Sequence, residues 1–102
     1  MQIIQAVRSR IDEEQHDACE YAKLALEYKE KRRSLADIFY ALSQDEMRHA
    51  MSLHNEITQI IREYHEEHGD PPANMQAVYD YLHEKDIEKH EQIKRYQAMY
   101  RD

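Results

Sequence analysis

The 102-residue chain has one glycine, one cysteine, two prolines and no tryptophan. A single glycine excludes a glycine-rich phosphate loop and a dinucleotide fingerprint, each of which needs several glycines at set spacing. Cys19 stands alone, so neither an internal disulfide nor a cysteine-based zinc site can form. That suits a reducing compartment, and a cytoplasmic location is expected. No apolar run approaches the roughly 20 residues that span a bilayer, and no secretory signal pattern opens the chain, so no membrane is expected as a partner. Acidic residues outnumber basic ones 21 to 14, giving a net charge of -7, which argues against nucleic acid.

What remains is charge and helical periodicity. The chain is 34% charged and 41% hydrophobic, more polar than globular domains, which run about 25% charged and about 45–50% apolar. Its length suits one domain, residues 1–102, with a small core that a partner subunit would enlarge. Apolar residues recur at spacings of three and four, the helical pattern. Ile4, Val7, Ile11, Ala18, Tyr21, Ala22, Ala25 and Tyr28 predict a first helix over about 2–31, with the basic cluster Lys29 to Arg33 at its end. Ser34 is the expected N-cap of a second helix over about 35–68, with Asp37 at the capping-box position and Gly69 as the C-terminal stop. That helix carries a main stripe (Leu35, Ile38, Phe39, Leu42, Leu53, Ile57, Ile60, Ile61, Tyr64) and a weaker one (Ala36, Tyr40, Met47, Ala50, Met51, His54). Two apolar faces imply two neighbours. Asp70-Pro71-Pro72 breaks the chain before a third helix over about 72–100, with the stripe Met75, Val78, Leu82, Ile93, Tyr96 and Tyr100. The fold class is therefore all-α. The short link between the first two helices predicts an antiparallel hairpin.

The main stripe of the second helix has a gap between Leu42 and Leu53, which Glu46 and His49 fill. An ionised glutamate on a core stripe calls for a partner, because burying an unpaired charge is costly. Glu-x-x-His sets both side chains on one face, one turn apart, where they can grip one ion. Glu13 and His16 repeat the spacing but face away from the first helix's stripe, so they read as solvated surface. The first helix is expected to supply a facing carboxylate. Glu14 stands first, in a heptad slot between Ile11 and Ala18, followed by Asp17 and then Glu13. At about 1.5 Å per residue Glu14 lies roughly 25 Å back from Lys31, and His49 roughly 22 Å on from Ser34, so the two meet at nearly the same level.

A core glutamate followed about thirty residues later by Glu-x-x-His on an antiparallel partner resembles the half-site of ferritin-like di-iron carboxylate proteins. The stretch Leu35-Ala36-Asp37-Ile38-Phe39 with Asp45-Glu46-Met47-Arg48-His49-Ala50 is similar to the second helix of a rubrerythrin-like domain. The resemblance spans about residues 8–65, and the whole chain looks like the short ferritin-like proteins of bacteria and their prophages. It implies a di-iron cofactor, or another divalent metal, with Glu46 bridging two metals and His49 and Glu14 as terminal ligands. Ferroxidase chemistry is the activity it implies. The family's second half-site is missing, since there is no fourth helix. One completion is a homodimer or higher homo-oligomer in which each copy donates a half-site, as in encapsulated ferritins. The other draws ligands from the polar middle of the third helix, where His83, Asp86 and His90 interrupt the apolar pattern. The competing functional class is a non-catalytic helical assembly protein with a vestigial site, in which Glu14, Glu46 and His49 pair with protein groups.

Overall fold

The computed structural model describes residues 2–102. The chain forms three α-helices, α1 (Gln2–Tyr28), α2 (Arg33–His68) and α3 (Ala73–Arg101). No helix among the described residues is long and apolar enough to cross a membrane. The molecule measures 55 × 18 × 18 Å, with a radius of gyration of 16.5 Å. A globular chain of this length would have a radius near ~13 Å, so most residues lie close to a surface.

The helix ends differ from the local signals at one junction. α1 stops at Tyr28 rather than Lys31, and α2 starts at Arg33, before Ser34. The residue flanking α2 is Arg32, with no side-chain cap, and its N–H donates to the Tyr28 carbonyl at 2.8 Å. The reversal is therefore closed by backbone, and Ser34 does not cap. Asp37 is also diverted from a capping box. Its Oδ1 accepts the Tyr100 hydroxyl of α3 and the Arg33 Nε, the latter at 3.2 Å. At the other junction Gly69 ends α2 as anticipated, with φ 76° and its N–H donating to the His65 carbonyl at 2.8 Å. Positive φ is the conformation glycine adopts without cost. α3 begins at Ala73, directly after Pro72.

The core explains how the helices lie. Ala25 packs with Ala36, Ala18 with Met47, and Ile11 with Ala50 and Ile57. The partner number on α2 rises as the number on α1 falls, so the two helices run in opposite directions. The most buried residues of α2 are Ala36, Ser43, Met47, Ala50 and Ile57: Ala36, Met47 and Ala50 come from the weaker stripe, Ile57 from the main one and Ser43 from neither. The other main-stripe residues flank them, half-buried or, at Ile38 and Tyr64, 56% and 42% exposed. Small side chains let backbones approach closely, which leaves room for a third helix. α3 rests mainly on α1 and touches α2 least. Its own buried face is largely polar: Asp86, Ile93, Gln97 and Tyr100. One hydrogen-bonded chain ties all three helices. The Gln97 amide donates to Ser43 Oγ at 2.9 Å, and Ser43 donates to the Ala18 carbonyl at 2.7 Å. Buried Ser43 and Gln97 thereby find partners and avoid the desolvation penalty of an unpaired polar group.

Tyr100 fixes the far end of α3. It is 3% exposed, stacks on Tyr40 with centroids 4.9 Å apart, and lies beneath the Arg33 guanidinium. Its hydroxyl is the main influence holding the Asp37 carboxyl below the ordinary value, against a smaller desolvation effect and with help from Arg33. A carboxylate with a depressed folded pKa stabilises above its unfolded pKa, and that stabilisation is lost as pH falls through the folded pKa. In Tyr100→Phe the Asp37 carboxyl is expected to titrate at higher pH, closer to the ordinary value, and the acid-induced loss of stability to shrink. A ¹³C NMR titration of the Asp37 carboxyl checks this, and an unchanged titration would contradict the assigned hydrogen bond.

Candidate metal centre

Successive residues on a helix point about 100° apart, and this turn decides which side chains α3 covers. On α1, the Gln15 amide donates to the Asp86 carbonyl of α3 at 3.3 Å. Its neighbour Glu14 therefore turns away from α3. On α2, Met47 packs with Ile93 of α3, and Glu46 again falls on the side that α3 leaves open. His49, one turn beyond Glu46, is further out on the same side.

There the three side chains converge. Each of Glu14, Glu46 and His49 places a ligand atom within 4.8 Å of the others, the one such group of histidine, cysteine and carboxylate residues among those described. His49 Nδ1 is 3.5 Å from Glu14 Oε2 and 3.9 Å from Glu46 Oε1. Both separations exceed hydrogen-bond length. Ligands at ~2.1 Å from one ion stand at most ~4.2 Å apart, so a small contraction would seat all three on a common metal. The carboxylates are shielded, with side chains 14% and 19% exposed, whereas the His49 side chain is 59% exposed. Two half-buried carboxylates and an imidazole are an oxygen-rich donor set with one nitrogen, which fits iron, manganese or zinc. Three donors leave coordination positions empty for a second set of ligands.

The other sequence candidates lie elsewhere. Asp17 and Glu13 are exposed on α1, and Glu13 pairs with Arg10 at 2.7 Å. His16 is exposed as well. His83, Asp86 and His90 sit on α3, around the side of the pair opposite Glu14 and Glu46, and do not join that group. Arg10 is the neighbour that sequence reasoning passed over. Its Nη2 lies 3.7 Å from Glu14 Oε1, and the i,i+4 spacing was a signal for it. Tyr21 and Phe39 stack beside this face with centroids 6.1 Å apart, and Tyr28 meets Phe39 at the same distance. Cys19 is buried among Ala18, Met47 and Ile93 and is packing material. No family model, no curated protein and no solved structure matches the chain.

Proposed function

We propose that the protein is a ferritin-like iron-binding protein that takes Fe(II) as its substrate, with a site shared between two copies of the chain. The observation that carries this reading is the convergence of Glu14, Glu46 and His49 on a shielded face that α3 leaves open. The surroundings of that face support a second copy as its cover. Ile38 is 56% exposed, and Leu35, Phe39, Leu42, Leu53, Tyr21 and Tyr28 are half-buried along the same two helices. A hairpin laid against its twofold mate there would bring together four carboxylates and two imidazoles, a two-metal set.

The roles of the chain's own groups follow from their placement. Glu46, on the middle of the face, would span two ions; Glu14 and His49 would each hold one. Two Fe(II) ions held there would each give up one electron to become Fe(III), so that dioxygen and two protons leave as hydrogen peroxide, or hydrogen peroxide and two protons as two waters. Carboxylate oxygens favour the more highly charged product. The low exposure of Glu14 and Glu46 lowers the local dielectric and strengthens that preference. The net acidity of the chain attracts cations toward the site.

The proximity of Arg10 to Glu14 favours the other reading, a helical assembly protein whose carboxylates serve protein partners. Adding Fe(II) to the purified protein in air and following Fe(III) formation separates the two. Iron retained near one ion per chain, with oxidation faster than in protein-free buffer, is the expected result. Trace iron and background oxidation would sink the iron reading.

A further inference from the structure

A second group of ionisable side chains lies in the groove between α2 and α3. His54 of α2 and His83 of α3 stack with ring centroids 5.2 Å apart and planes 18° from parallel. Asp86 and His90 follow His83 at i+3 and i+7, on the same face of α3. These four, with Gln15 and Met51, line a cavity of about 230 Å³. Asp86 is only 9% exposed, and its Oδ2 is buried with no hydrogen-bond donor. Arg8 ion-pairs with the carboxylate: its Nη2 donates to Oδ1 at 3.5 Å, and its Nη1 is 3.1 Å from Oδ2 but not aligned to donate to it. Native proteins seldom leave a buried carboxylate oxygen in this state without water or an ion.

We propose that His54, His83 and His90 form a second divalent-metal site, specific for a late first-row ion such as Zn(II), with Asp86 as its acidic support. Its chemistry differs from that of the Glu14 group. Imidazole nitrogen suits zinc, copper and nickel, whereas carboxylate-rich sets suit harder ions. Arg8 already offsets part of the Asp86 charge. The imidazoles therefore carry the binding, and Asp86 accepts a hydrogen bond from a ring N–H or from a metal-bound water. The donors are not gathered in one coordination sphere at rest, since only Glu14, Glu46 and His49 are so placed among the described residues. Gathering them turns His83 toward the cavity. His83 is exposed and free to change rotamer, and His54 and His90 are half-buried on the walls of the same cavity. The ion would tie α3 to α2, the helix pair with least contact.

This site does not rest on the iron reading, and its test removes the first group. In the full chain carrying Glu46→Ala and His49→Ala, Zn(II) titration by calorimetry is expected to give one ion per chain. Adding His83→Ala weakens binding by ~10-fold or more, and His54→Ala does the same. Zn(II) raises the melting temperature of the double variant and leaves the triple variant with His83→Ala unchanged. The exposed His83 is the deciding position should His54→Ala disturb folding. No Zn(II) binding in the double variant, binding indifferent to His83, or one ion shared between two chains would each overturn the proposal.

Discussion

Glu46→Ala is expected to lower iron affinity at the Glu14–Glu46–His49 group by ~100-fold or more, about 2.8 kcal/mol at 1.4 kcal/mol per decade. Glu46 occupies the centre of the open face, and no other carboxylate of α2 reaches it: Asp45 is engaged by Arg48 and Glu56 is exposed beyond the next turn. The metal-free protein should respond differently. Glu14 and Glu46 hold two carboxylates near one another in a shielded setting, where like charges repel. Alanine relieves that repulsion and removes a partly desolvated charge. The melting temperature of the metal-free variant should therefore be equal to or above that of the parent. Loss of metal without loss of stability distinguishes a ligand from a structural ion pair, whose disruption costs stability. Elemental analysis after Fe(II) loading, with thermal melts of the metal-free forms, reads both effects. Unchanged iron content, or a destabilised metal-free variant, would contradict the assignment.

If two copies associate as proposed, Ile38→Asp should weaken that association by roughly thirtyfold or more. Ile38 is 56% exposed in the single chain, so a polar residue there costs the monomer little. Beneath a second copy the same carboxylate would be buried without a partner. Loss of a central apolar contact of this kind costs about 2 kcal/mol or more, roughly thirtyfold in dimer Kd. If each chain supplies half of a two-metal site, iron binding falls in step with association although Ile38 touches no metal. Sedimentation over a range of concentrations, with iron analysis of each species, checks this coupling. A parent chain that remains monomeric and still holds two irons would rule out the shared site.

Much of this was legible from spacing, and what was not has identifiable causes. Periodicity of three and four marks the helices because backbone geometry puts those residues on one face. It brought Glu14, Glu46 and His49 to one level because the rise per residue is constant along antiparallel helices. It did not say which stripe of α2 would be most covered. Leu35, Ile38 and Phe39 are larger, but Ala36, Ser43 and Ala50 admit the closer approach and are the buried ones. Ser43 belongs to neither apolar stripe, and its burial depends on partners on two other helices, Gln97 and the Ala18 carbonyl, that spacing along one helix does not reveal. Asp37 read as part of a local cap, yet its carboxylate is taken by Tyr100, 63 positions away. His83, Asp86 and His90 shared a face on α3, and a single helix cannot reveal which side of its neighbours that face will meet.

In the proposed assembly two copies of this chain meet at Glu46 around a pair of irons. A crystal structure grown with Fe(II), with anomalous scattering recorded at the iron edge, tests it most directly. Two iron peaks are expected about 3.5–4 Å apart, as in other two-metal sites, flanked by Glu14, Glu46 and His49 from each of two chains. Iron peaks elsewhere, a site built from one chain alone, or no peaks at saturating iron would contradict it.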